Sequence, residues 1–153
     1  MIFRKLTEAE LEELKEEFVQ YLVANGVDAE LWEQLKKDEP EKSDLFVQQF
    51  SNVVLQKSLE KIEYLEHRTP SDVKLFHCGK ETIDLIALKS SVVDLTNMAE
   101  FNAEDFKNIE IFKATKPYSK NREVELFEMT EKGCQITSHM LYDLLKQMVK
   151  KKS

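Results

Sequence analysis

Near Ser58 the hydrophobic period of this 153-residue chain changes, and that change limits the folds open to it. Ahead of it, Leu11, Leu14, Phe18 and Leu22 recur at the spacing of one helix face. Beyond it, short runs over 61–68, 73–78 and 82–89 have the length and residue types of strands, with a fourth at 110–115 before Pro117. Helical spacing returns from about Ser119. The pattern predicts an α+β fold: N-terminal helices, a small largely antiparallel sheet and two C-terminal helices around a single core. At this length one domain spanning 1–153 is expected.

Three glycines and three prolines are so few that each reads as punctuation. Thr7 and Glu10 have the spacing of a capping box, in which each side chain accepts the other's backbone N–H, with Leu6 and Leu11 as the hydrophobic staple. The helix they open runs to Asn25-Gly26. A second starts with Asp28 as cap and carries Leu31, Trp32 and Leu35; a third opens at Pro40, with Phe46, Phe50, Val53 and Val54 turned to the core. Pro70 separates the first two strands and Gly79-Lys80-Glu81 the next two as a tight hairpin. Residues 90–108 show no clear pattern. A helix over 119–132 stops at Gly133, and the last begins at Thr137 with a staple from Ile136 to Leu141 and a stripe of Leu141, Leu144, Leu145 and Met148. Lys146 and Lys150 to Lys152 stand at its C-terminal end, where the helix dipole favours cations.

The net charge of −7 is unevenly spread. Residues 1–44 hold six Lys and Arg against thirteen Asp and Glu, whereas the remainder is near balance. That excess repels phosphate and counts against nucleic acid as the partner of the N-terminal half. Two distant cysteines without CxxC spacing suit a reducing compartment, and no apolar run is long enough for a signal peptide or a membrane span. A cytoplasmic protein with no membrane partner is expected.

The segments Leu6-Thr7, Glu10-Leu11, Glu17-Phe18-Val19, Asn25-Gly26, Trp32-Glu33, Lys36-Lys37 and Pro40-Glu41-Lys42 together resemble a bacterial family of uncharacterised proteins. Phe50-Ser51 and Tyr64-Leu65-Glu66 continue the likeness, which is clearest over residues 6–70. The resemblance implies a shared fold and brings no catalytic residue with it.

Several constellations invite chemistry. His67, His77 and Cys78 are zinc-type donors, but a hairpin turning at 69–72 would set His67 opposite Val73 and His77 opposite Glu63, more than about 10 Å apart, so no metal or other cofactor is expected. His77 and Cys78 are strand neighbours and project to opposite faces, which reads as a packed thiol beside a solvated imidazole. Cys134, His139 and Asp143 form the catalytic alternative: His139 and Asp143 share a helix face four residues apart, and Cys134 precedes the helix N-terminus, where a thiol is acidified. The last two helices also have the spacing of a helix-turn-helix, although the second has no arginine to read guanine. The acidic residues Glu12, Glu13, Glu16 and Glu17 form either a solvated face or a docking surface for a protein, with Trp32 as its anchor if exposed. The leading expectation is a non-enzymatic interaction or adaptor protein, with self-association open to it.

Overall fold

The computed structural model describes residues 3–152, and the chain forms two compact units, Met1–Glu60 and Lys61–Ser153. The regular elements of the first, among its described residues, are all helices: α1 (Glu8–Glu13), α2 (Lys15–Ala24), α3 (Ala29–Asp38) and α4 (Pro40–Glu60). The capping box forms as the sequence implies. Thr7 Oγ1 accepts the Glu10 N–H at 3.2 Å, and Glu10 Oε1 accepts the Thr7 N–H at 2.9 Å. Arg4 adds a two-pronged grip on the same carboxylate, at 2.9 and 3.1 Å. The Arg4 hydrogen bonds, followed by the Thr7 N–H, hold the Glu10 carboxyl down from its ordinary 4.5 to about 2.

The single helix expected from Thr7 to Asn25 is interrupted at Leu14, whose backbone (φ −104°, ψ 23°) leaves the helical region. The hydrogen bonding passes through the break: Leu14 N–H donates to Glu10 O at 3.1 Å, and Phe18 N–H to Leu14 O at 2.9 Å. The interruption therefore separates α1 from α2 without detaching them. Gly26, at φ +80°, ends α2 where a side chain would be strained; Val27 N–H reaches back to Leu22 O at 2.8 Å and Gly26 N–H to Val23 O at 3.0 Å. The same turn puts Val27 beside Leu22, and with Leu35 they form a buried cluster of this unit, surrounded by Phe18, Trp32 and Phe46. Phe50 is buried on α4, whereas Val53, expected in the core, is 43% exposed. Ser51 is fully buried and fully used, donating to Val47 O at 2.6 Å and accepting the Leu6 N–H at 2.9 Å. That bond ties the segment ahead of α1 to α4.

The second unit is a five-stranded antiparallel sheet in the order β4-β3-β2-β1-β5. Its strands are β1 (Tyr64–Arg68), β2 (Asp72–Cys78), β3 (Thr82–Lys89), β4 (Glu110–Pro117) and β5 (Gln135–Ile136). Between β3 and β4 lie a 3-10 turn at Met98–Glu100 and α5 (Ala103–Lys107), where the sequence shows no readable pattern. α6 (Arg122–Glu131) and α7 (His139–Lys152) complete the unit. The hairpin at Gly79 closes with Gly79 N–H on Thr82 O at 3.0 Å.

The β1–β2 register differs by one residue from the expected one: His67 pairs with Lys74 and His77 with Tyr64. Thr69 and Asp72 cause the shift by pairing with each other, Thr69 N–H to Asp72 O at 2.8 Å, so that only Pro70-Ser71 forms the turn. A one-residue change alters every cross-strand neighbour.

One sheet face carries Val73, Leu75, Ile86 and Leu88, packed with Tyr142, Leu145 and Met148 of α7 and with Leu95, Met98 and Ile109. Each fully buried leucine here contributes roughly 1.5–3 kcal/mol by leaving water. The opposite face carries Cys78 and Ile83, and α6 lies over that end, with Glu125, Glu128 and Met129 gathered around Ile83 and Lys116. α6 ends as α2 does, at a glycine of positive φ (Gly133, +108°), with Cys134 N–H on Met129 O at 3.0 Å. The turn expected between the last two helices is strand β5, which pairs Ile136 with Leu65 on β1. The two helices consequently flank opposite faces of the sheet, and the paired arrangement required of a helix-turn-helix does not form. Thr137 N–H is used by Tyr64 O at 3.1 Å and Ile136 is 67% exposed, so the staple expected at Ile136 is also absent; α7 starts two residues later than expected. The stripe of Leu141, Leu144, Leu145 and Met148 packs on the core as expected. The side chains of Lys151 and Lys152, expected beside the helix C-terminus, lie outside the described residues.

Candidate functional site

The N-terminal unit carries a groove of about 640 Å³ beside α2 and α3. Its apolar lining comes from Leu11, Phe18, Val19, Leu22, Val27 and Trp32, and its charged lining from Glu8, Glu12, Asp28 and Glu33 with Lys15 and Lys36. The 3.6-residue period explains the gathering on α2, where Phe18 and Leu22 follow one another and Val19 lies beside them. α3 is set by its cap, Asp28, which accepts the Leu31 N–H at 2.8 Å and directs Trp32 toward α2. Trp32 is half-buried and meets Phe18 edge to face, centroids 5.3 Å apart at 89°; Phe46 lies 6.5 Å away at 82°. Both contacts suit the ring quadrupoles and hold the indole in one orientation. Val19 and Val23 remain 48% and 59% exposed along the same helix.

The five residues proposed from sequence as a partner surface divide here. Glu12 and Trp32 line the groove; Glu13, Glu16 and Glu17 are exposed and lie outside its lining. Asp28 and Glu33 line the groove with Glu12 and Trp32, and no spacing along the chain marks these two among the many acidic residues of 1–44.

Cys134, His139 and Asp143 divide as well. His139 Nδ1 and Asp143 Oδ2 are 2.9 Å apart on the exposed side of α7, as four-residue spacing implies. Cys134 precedes β5; Lys74 acts on it and Gly133 lies against His67, and Lys74 and His67 are a cross-strand pair on the sheet face away from α7. Burial raises the Cys134 thiol, with Lys74 opposing, and burial pushes Cys78 up to about 12. Both groups are thiols at neutral pH, the less nucleophilic form.

What the corrected register does bring together is an aromatic cluster at one end of the α7 face. Tyr64 stacks on His77 with centroids 4.9 Å apart at 21°, and Tyr142 lies 5.6 Å from Tyr64 and 5.7 Å from His77. His77 is therefore covered on one side instead of being simply solvated; Asp84 lies 3.6 Å from its Nδ1. Burial raises both tyrosine hydroxyls, Tyr64 further through Asp143 and Glu63, Tyr142 through Asp84. The rings pack on one another and close the end of the core. His67 and His77 lie three ladder steps apart, and among the described residues no group of three or more His, Cys, Asp or Glu is placed to share a metal ion.

The fold and its groove define a mixed α+β protein whose helical unit carries the net negative charge and whose sheet unit carries none. The chain belongs to the Family of unknown function (DUF6495), whose family model spans residues 1–150. No curated protein and no solved structure matches it. Among the described residues no helix is long and apolar enough to cross a membrane.

Proposed function

We propose that this is a non-enzymatic interaction protein whose N-terminal helical unit takes a basic, amphipathic helical segment of a partner protein into the groove beside α2 and α3. The observation that carries this reading is the combination, at one place, of an apolar floor containing Trp32 with acidic residues from two helices, Glu8 and Glu12 before α2 and Asp28 and Glu33 at α3. An apolar helix face would cover the exposed edge of Trp32 and Val19, and its lysines or arginines would meet those carboxylates. The whole unit favours such a partner: Met1–Glu60 holds fourteen acidic against seven basic residues, while Lys61–Ser153 holds fifteen of each.

Affinity purification of the whole chain from native cells tests this with two charge-reversal variants. Glu12→Lys with Glu33→Lys, inside the groove, is expected to lose a stoichiometric basic partner; Glu13→Lys with Glu17→Lys, outside it, is expected to retain most of it. The charge change is the same in both, so long-range attraction alone would weaken them equally. Recovery of the wild-type chain with no partner, or equal loss from both variants, overturns the reading.

A further inference from the structure

The sheet has two outer strands of very different kinds. β5 is two residues long; β4 is eight, and every residue from Phe112 to Pro117 is exposed. The hydrogen bonds of β4 alternate between inward and outward. Tyr118 N–H donates to Glu81 O across the β3–β4 ladder, and the neighbouring ladder alternates consistently, with Gly79 on Thr82 and Ser90 on Ser71. Counting back in steps of two, the backbones of Lys116, Ala114 and Phe112 face β3, and those of Ile111, Lys113 and Thr115 face outward. Pro117, next in the outward series, has no N–H and ends it.

An exposed edge of this length is a template for another strand, and its side chains are suited to one partner in particular. If β4 meets a second β4 antiparallel, with Lys113 opposite its own equivalent, all three outward residues of each copy are paired, giving about six backbone hydrogen bonds. In that register Glu110 falls opposite the second copy's Lys116, and Lys116 opposite its Glu110. Phe112, 60% exposed in the single chain, falls opposite the second copy's Ala114, large against small on the same face. A two-residue shift in either direction loses the opposed Glu110–Lys116 pairs; one way it also leaves Thr115 unpaired, and the other way it brings Pro117, which has no N–H, into the seam. We propose that β4 is the seam of a two-fold dimer of this chain, joining two five-stranded sheets edge to edge in this register. Lys113 is its one opposed like-charge pair and sets a brake on affinity.

Sedimentation velocity on the full chain tests the seam, with far-UV circular dichroism confirming that each variant is folded. The wild type is expected to form a concentration-dependent dimer. Glu110→Lys and Lys116→Glu, each reversing both symmetric contacts, are each expected to weaken it about tenfold, and the two together to restore it. Lys113→Thr is expected to tighten it severalfold by removing the like-charge pair. Lys113→Pro deletes an outward N–H only, leaves the bonds to β3 in place, and is expected to give a monomer. A wild type that stays monomeric at all concentrations overturns the proposal, and so does a dimer that survives Lys113→Pro or one that the double reversal fails to restore. Because these residues belong to the sheet unit, failure here leaves the groove reading standing, and failure there leaves this one.

Discussion

The two units solve the problem of stability in different ways. The sheet unit has a long-range core in which ten buried residues from β2, β3, α7 and the segment between β3 and β4 pack together. Among its described residues the helical unit gathers only Leu22, Val27 and Leu35 in one such cluster and buries Leu6, Phe50 and Leu59 besides, supplemented by half-covered aromatic rings and by well-formed helix ends. The first unit to lose its fold should be the one with the smaller buried cluster, because burial is the main favourable term. Trp32 is the only tryptophan and lies in the helical unit, so its fluorescence reports that unit alone while far-UV circular dichroism follows both.

The largest expected effect follows from that contrast. Leu75→Ala empties a fully buried position in the sheet core and is expected to cost about 3 kcal/mol. In a urea titration the far-UV circular-dichroism midpoint should shift to lower denaturant by more than the Trp32 fluorescence midpoint does. Equal shifts of both would break the contrast and show that 1–153 unfolds as the single cooperative domain its length suggests.

A smaller effect is expected at the first helix. Thr7→Ala removes one half of the capping box and is expected to cost about 1 kcal/mol, read as a shift of the Trp32 midpoint larger than that of the far-UV circular-dichroism midpoint. Smallest is the pH dependence of the same cap. The Glu10 carboxyl is held at about 2 in the folded chain, below its ordinary 4.5, so its contribution is complete above about pH 4.5 and is lost as the pH falls toward 2. Acid titration of the Trp32 signal should show this loss, and Glu10→Gln should flatten it; an identical acid profile in the variant would remove Glu10 from the account. Solvent screening at this half-exposed pair keeps the effect below that of the Thr7 substitution.

Local chemistry made much of the fold legible. Thr7, Asp28, Gly26 and Gly133 mark helix ends because their side chains, or the lack of one, act on backbone groups within a few residues. β1 to β4 were readable from the length and residue types of their runs. Residues 90–108 were not, because their shape depends on contacts such as Ser90 Oγ donating to Asn108 O at 2.7 Å and Leu95 N–H bonding Pro70 O at 2.8 Å, each between residues well apart in sequence. β5 was missed for the same reason: two residues have no period of their own and become a strand only by pairing with β1.

The candidate surfaces show the same division. From sequence alone came the acid-rich first helices, the amphipathic stripe of α7 and the i, i+4 contact of His139 with Asp143, all set by helix geometry that every chain of this pattern shares. Only the tertiary structure decided that Glu12 shares a groove with Trp32 and Glu33 while Glu13, Glu16 and Glu17 stay outside it. It likewise placed Cys134 across the sheet from His139 and left β4 as a long open edge. The physical reason is that a residue's face is fixed by its own helix or strand, whereas what lies opposite that face depends on packing between distant segments.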